Sequence, residues 1–407
     1  MYAMFIAKLV FLNVIRDWRK NMIAGVAILV GTVSLVLLGG YVAQIYEGIR
    51  LGNIYSQLGH YQIFSTRQSD EAYSRSLIDQ DTATRIEANL NKLDEVELVT
   101  QRIEAQGLLS FGNKAVGVLA YGVESDKDGE ISSSVQIVKG TGLFRERANG
   151  ALVGRELMVE LGAKLGDVLT FLTTTSNGAI NAVDVEVTGV MDTGTKELNK
   201  RFIKINLSLM REALAAYSST NLVVLLDERK ITANTDARVH AAVAAASNKV
   251  EVKSWADMAD QYHQIVMLFN NIFGFVTALV AIIIFAGILI TMTMAVMERV
   301  SELSTIRAMG ASRSNLLVMV LSEGVVVGLL SVVFSVICGI LIAEAINQVK
   351  IQMPAPPGST FSFPLRMLLN VRVVLLPVFL SLFATVVGGF IPAYRAAKMP
   401  ISEAMQR

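Results

Sequence analysis

Only one of the 407 residues is cysteine, Cys338, and it lies in an apolar run. No intrachain disulfide can form, which excludes a disulfide-built secreted fold. Histidine is nearly as scarce. His60, His240 and His263 are scattered and no H-E-x-x-H string occurs, so no metal site is expected. The phosphate cradle G-x-x-x-x-G-K-[ST] is also missing, because the nearest string, Gly107 to Lys114, has Asn113 where the lysine belongs. Nor does any G-x-S-x-G mark a serine nucleophile. Charge is in short supply too: Asp, Glu, Lys and Arg make up 17% of the chain against 53% hydrophobic residues. Soluble domains carry about a quarter charged residues, so this composition is that of a membrane protein.

A bilayer core needs about 20 apolar residues of helix. Met22 to Tyr46, Gln264 to Met297 and Val373 to Tyr394 carry no charge at all, and Ser314 to Ala343 is interrupted only by Glu323. The first run is longer than a secretory signal's apolar stretch and follows a 21-residue leader, so it is expected to remain as an anchor. The second exceeds one bilayer and starts with Gln264, Asn270 and Asn271, which predicts a stalk continuous with a span. The division expected is an amphipathic elbow (1–21), spans at 22–46, 314–343 and 373–394, and a stalk with span at 264–297. The remainder is an inserted domain (47–263), a short helix (298–313), an outer loop (344–372) and a tail (395–407). Lys8, Arg16, Arg19, Lys20, Arg299, Arg307, Arg313, Arg395, Lys398 and Arg407 cluster on one side, against Lys350, Arg366 and Arg372 on the other. The positive-inside rule then puts both termini in the cytoplasm and residues 47–263 outside it.

That insert holds 23 basic and 29 acidic side chains, which argues against nucleic-acid binding. It is large enough for one or two packed subdomains. Helical repeats at Ile86, Leu90 and Leu93, at Leu157 and Leu161, and across Ala237 to Ala246 alternate with strand-like runs. The runs are His60 to Ser65, Lys114 to Val123, Val168 to Thr173, Val183 to Val190, Phe202 to Asn206 and Asn221 to Asp227. Gly150, Gly166, Gly178 and Gly194 read as turns, and Pro354 to Gly358 as a rigid turn in the outer loop. The fold class is therefore four membrane helices with a large extracytoplasmic α+β domain between the first and second.

The informative stretch is cytoplasmic. In ERVSELSTIRAMGASRSNL, the residues Val300, Leu303, Ile306 and Met309 form an apolar stripe on a helix charged at Glu298, Arg299, Glu302 and Arg307. Gly310 suits the residue that stops such a helix, and Ser312 or Ser314 the cap of the next. The result is a short helix against the membrane, which serves equally as an anchored loop or a docking surface. Glu323 is the one ionisable group inside a span, at a cost of about 2.5–3.5 kcal/mol on insertion scales, and is read as a structural or coupling contact rather than a proton carrier. Gly324 and Gly328 form a G-x-x-x-G step, open to a dimer seam or to ordinary packing. Phe5, Leu9, Leu12 and Ile15 give the elbow an apolar stripe beside basic residues for lipid headgroups.

The string ERVSELSTIRAMGA resembles the signature of FtsX-like and MacB-like ABC permeases. The ending PAYRAAKMPISEAM, the opening KLVFLNVIRDWRKN, and the internal strings LVGRELMVELGAKLGDVLTF and VTGVMDTGTKEL resemble further segments of the MacB, LolC and LolE group. The resemblance implies a non-catalytic permease subunit of the bacterial inner membrane, paired with a separate ATP-binding subunit that holds ATP and Mg, and with a second permease chain. The helix carrying Glu298, Arg299, Glu302, Leu303, Ile306, Arg307, Met309 and Gly310 would be the coupling helix seated in that subunit. Such mechanotransmission permeases relay ATPase closure to an exterior domain, with a periplasmic carrier or adaptor as a further partner. Lipoprotein release or movement of a related lipophilic substrate leads. MacB-like export of antibiotics or antimicrobial peptides and FtsX-like signalling to a cell-wall hydrolase are the alternatives. LolC-type permeases carry a long hook where Thr173 to Asn181 forms a short hairpin here, which leaves LolE-like and MacB-like relatives open.

Overall fold

A computed structural model describes residues 16, 18–66, 77–354 and 360–398. The elbow stripe from Phe5 to Ile15, most of the Pro354 to Gly358 turn and the tail beyond Lys398 lie outside the described residues. In chain order the elements are α1 (Trp18–Asn53), a π-helical turn (Ile54–Leu58), β1 (Tyr61–Ser65), α2 (Gln80–Leu90), β2 (Val96–Phe111) and β3 (Lys114–Val123). Next come α3 (Ser125–Ile131), β4 (Gln136–Gly140), β5 (Gly150–Gly154), α4 (Arg155–Leu161), β6 (Val168–Thr174), β7 (Ile180–Asp192), α5 (Lys196–Asn199) and β8 (Phe202–Asn206). Then follow α6 (Leu207–Leu214), β9 (Asn221–Leu226), α7 (Thr235–Ala246), β10 (Val250–Ser254) and α8 (Trp255–Met258). The chain closes with α9 (Asp260–Glu298), α10 (Val300–Ala308), α11 (Arg313–Val349), the short strands β11 (Gln352–Met353) and β12 (Phe363–Pro364), and α12 (Val371–Lys398). Contacts divide these elements into two compact units, one holding the four long helices and the other Gly48–Gln264 with Met353–Phe363.

In the helical unit, α1, α9, α11 and α12 are each long and apolar enough to cross a membrane. They outrun the uncharged stretches because a helix ends where its backbone is capped, not where its side chains turn polar: Ser312 caps α11 at one end and Lys350, at φ +53°, ends it at the other. Ile28, Ile284, Ile288, Val320, Val332 and Ala384 form a shared core, and the Thr32 and Ser381 hydroxyls bond at 2.7 Å within it. Polar pairing of this kind joins helices where lipid cannot supply a partner. Gly324 and Gly328 face this core. A Cβ on Gly328 would stand 2.6 Å from Thr385 Cγ2 on α12, and one on Gly324 would meet Met292 of α9 at 3.3 Å. Helices of the same chain thus fill the G-x-x-x-G step. Met294 and Met297 are exposed, as are Phe275, Leu341, Phe379 and Phe383, a surface matched to lipid. Pro377 and Pro392 interrupt the hydrogen bonding of α12, whereas α9 runs 39 residues without a proline.

The second unit is built on one sheet of ten strands in the order β10-β1-β9-β2-β3-β8-β5-β7-β4, with β6 bridging β2 and β7. Its two largest hydrophobic cores, beside smaller clusters around Phe202 and Val223, lie on it. One gathers Ile103, Leu109, Leu157, Phe171, Val185, Ile203 and Met210 between the sheet and α4 and α6, and the other gathers Ile63, Ile86, Leu90, Leu222, Val224 and Val239 under α2 and α7. The 16-residue β2 runs through both. All six strand-like runs of the sequence are strands, and Gly166, Gly178 and Gly194 take the positive φ of turns. Gly150 does not, since it opens the fully buried β5. Between β6 and β7 the hairpin is closed by residues 175–179, with the Thr175 carbonyl accepting from Gly178 and the Ala179 carbonyl from Thr175.

Candidate functional site

The stretch between α9 and α11 is shaped by three backbone devices. Glu298 is the last residue of α9, and Arg299 (φ −108°, ψ 14°) breaks the axis between it and α10. Gly310 at φ +101° turns the chain after the nine residues of α10, and the Ser312 hydroxyl accepts from the Asn315 amide at 3.2 Å to start α11. The helix is therefore shorter than the 298–313 segment read from sequence, with Glu298 and Arg299 preceding it and Met309 and Gly310 following.

The expected stripe of Val300, Leu303, Ile306 and Met309 is corrected by the structure. Val300 and Ser304 are the buried positions of α10, Leu303, Ile306 and Arg307 are half-buried, and Met309 is 76% exposed. A repeat of three lags the 3.6-residue turn, so a stripe read at i, i+3, i+6 and i+9 winds round the helix and leaves the face on which it began. A small cavity of about 10 Å³ bounded by Val296, Val300, Leu303, Ser304, Arg307, Leu316 and Ala396 marks the seat of α10 against its neighbours. The opposite face presents Ser301, Glu302, Thr305 and Ala308 to solvent.

Ion pairs among the described residues tie this segment to its neighbours. Arg299 Nη1 lies 3.3 Å from both carboxylate oxygens of Glu323, and the two side chains are 13% and 16% exposed. Glu323 of α11 is thus joined to the residue at the break between α9 and α10. Arg16 Nη2 reaches Glu302 Oε2 at 3.2 Å on the exposed side. Neither partnership has a local sequence signal, since the partners are 24 and 286 positions apart.

The exterior unit holds its own charged interior. Lys204 is buried against both Asp128 oxygens at 3.0 and 2.9 Å and bonds Ser132, and burial lowers its pKa against the pull of Asp128. The Arg102 guanidinium sits over the Tyr121 ring at 4.9 Å and donates to the Gln57 carbonyl. His60 Nδ1 accepts from the Leu226 amide at 3.1 Å, which leaves the proton on Nε2, 3.7 Å from Glu228. Burial pushes the His60 pKa down, outweighing the attraction of Glu228. Tyr61, half-buried and hydrogen-bonded to Asp236, is pushed up to about 12 by its partial burial and that carboxylate. No group of three or more His, Cys, Asp or Glu that could hold a metal occurs among the described residues.

A sequence profile for the MacB-like periplasmic core domain matches residues 22–246, more than half of the chain, and one for the FtsX-like permease C-terminal domain matches 274–401. The chain belongs to this permease family. The C-terminal match of this FtsX-like permease takes in α10 and Glu323, and the core-domain match takes in α1 and most of the sheet. Macrolide export ATP-binding/permease protein MacB of Campylobacter jejuni is 30% identical over 149 residues, 35% of this chain and 21% of that protein. ABC transporter permease YtrF of Bacillus subtilis is 31% identical over 149 residues, 35% of this chain and 33% of its own length. Lipoprotein-releasing system transmembrane protein LolC of Haemophilus influenzae is 21% identical over 156 residues, 38% of each chain. The permease described here spans between 21% and 38% of the length of these relatives.

Proposed function

We propose that this chain is the permease subunit of an ABC transporter, multi-pass in the bacterial inner membrane with both termini cytoplasmic. In this reading a separate ATP-binding subunit closes on ATP and Mg, a second permease chain completes the complex, and the exterior α+β unit does work on a substrate outside the membrane. The observation that carries it is α10. A nine-residue helix, seated at Val300 and Ser304 and joined at its root to α11 through Arg299 and Glu323, leaves Glu302, Met309 and Gly310 exposed for a partner. Force applied to that face would pass into α9, and packed helices transmit displacement with little loss. Lipoprotein release or movement of a related lipophilic substrate is the leading activity, in keeping with the relative of that name. Export of a macrolide-like compound is the second reading, favoured by the short hairpin at 175–179 and by the likeness to MacB.

The test is affinity purification of the chain from native membranes. An ATP-binding protein is expected to co-purify, and Glu302→Arg should reduce ATPase stimulation by the permease about tenfold while the variant still inserts; a tenfold effect corresponds to about 1.4 kcal/mol of lost contact. ATPase stimulation unchanged by the charge reversal would reject α10 as the docking face.

A further inference from the structure

β7 ends at Asp192, and Thr193, Gly194 and Thr195 then turn the chain into the single-turn helix α5. The Asp192 side chain is only 3% exposed. Its Oδ1 accepts from the Gly194 amide at 2.9 Å and from Asn199 Nδ2 at 2.8 Å, and its Oδ2 lies 3.1 Å from Arg155 Nη1. Asn199, fully buried, accepts in turn from the Thr193 amide at 2.8 Å and the Thr193 hydroxyl at 2.7 Å. These contacts are enough to fix the turn.

One more donor is not local. The Thr360 hydroxyl donates to Asp192 Oδ1 at 2.6 Å, and Thr360 lies 168 positions further on, in the segment that joins α11 to α12. The Thr360 amide donates to the Gly194 carbonyl at 2.9 Å. The Phe361 ring lies 3.1 Å from where a Cβ on Gly194 would stand, and Gly194 itself has φ +86°. A side chain at 194 would therefore be strained and would also strike the incoming ring. Gly194, Asn199 and Thr360 converge on Oδ1 while Arg155 faces Oδ2, so both carboxylate oxygens are engaged. Burial by itself would raise the Asp192 pKa, but the bonds from Thr360, Asn199 and Gly194, with the Arg155 charge, hold it below the usual carboxylate range.

We infer that the turn from Asp192 to Thr195 is a receptor that clasps the α11–α12 segment, giving the exterior unit a third chain connection beside α1 and α9. The inference deepens the mechanical reading above and rests on it for one consequence: displacement of α11 and α12 reaches the sheet through Asp192 and Thr360. The clasp itself stands apart from that reading.

Hydrogen exchange on the full-length chain in lipid nanodiscs separates the two. Without nucleotide, the Thr360 amide and residues 192–199 are expected to be protected, and Thr360→Val with Phe361→Ala should speed exchange at 360–363 roughly tenfold, the loss of about one hydrogen bond with its packing. Thr360→Val alone keeps the shape and guards against misfolding as the cause. Exchange at 360–363 that is already as fast as in an unstructured peptide, or unchanged in the double variant, would overturn the clasp. With the co-purified ATP-binding partner trapped by ATP and vanadate, protection at 192–199 should shift in the parent chain and shift several-fold less in the variant. An equal shift in both would overturn the relay through Asp192. No shift in either would instead count against the mechanical function, leaving the clasp to be decided by the nucleotide-free measurement.

Discussion

Neutralising Glu323 should weaken the helical unit by an amount the geometry bounds. Its carboxylate faces Arg299 at 3.3 Å through both oxygens, with about 15% of each side chain exposed. Two unit charges about 4 Å apart attract by about 4 kcal/mol at an effective dielectric of 20. Dehydrating both groups consumes much of that, so the net coupling should be roughly 1–3 kcal/mol, whereas removing one partner leaves a charge uncompensated and should cost about 3 kcal/mol. Glu323→Gln and Arg299→Gln are each expected to lower stability by about that amount, and the double variant by less than the sum, the shortfall being the coupling. Reversible unfolding of the full chain in mixed micelles, read by circular dichroism, provides the four values of the cycle. If the proposed ATP-binding subunit docks on α10, the same variants reconstituted with it should lose ATPase stimulation in proportion to the coupling, because the pair sits at the root of that helix. Strictly additive single effects would refute the reasoning, since they would mean that the two groups do not sense each other across α9 and α11.

The His60 pKa lies below its value in an unfolded chain, so the unfolded state takes up the proton first and the exterior unit should lose stability as pH falls below about 6.5, by at most about 1.4 kcal/mol per pH unit until the folded pKa is passed. His60→Gln, which can still accept from Leu226, is expected to flatten that slope in thermal scans between pH 7.5 and 5.5; an unaltered slope would place the titration elsewhere. Gly328→Ala drives a Cβ to 2.6 Å from the β-branched Thr385 and should destabilise the helical unit by about 1–3 kcal/mol, whereas Gly324→Ala meets only the flexible Met292 at 3.3 Å and should cost less than half as much. Equal tolerance of the two in the same micelle titration would contradict the packing described.

The four membrane helices were legible because hydrophobic runs of that length have no other stable home in a folded chain. Strands β3, β6, β8 and β9 were legible from their short apolar runs. β2 was not. It carries Gln101, Arg102 and Glu104 along its length, and Arg102 is buried by stacking on Tyr121, a compensation visible only when distant residues are brought together. β5 was missed because Gly150, which opens it, was read as a turn, and Gly154 at its other end drew no notice although a Cβ there would stand 2.1 Å from the Asn199 carbonyl. Between α9 and α11 the motif located α10, but its buried face depends on what α11 and α12 present at Leu316 and Ala396. The pairing of Arg299 with Glu323 and that of Asp192 with Thr360 join residues whose proximity the topology creates, so no spacing rule in the chain announces either.

The length of β2 has a consequence for how the exterior unit can change over time. Because a single strand walls the two largest hydrophobic interiors, neither of these could be deleted, duplicated or exchanged for a foreign module without opening the other. Variation that reshapes what this unit grasps is therefore confined to its rims, the hairpin tips and the connecting turns, while the plate beneath is inherited whole.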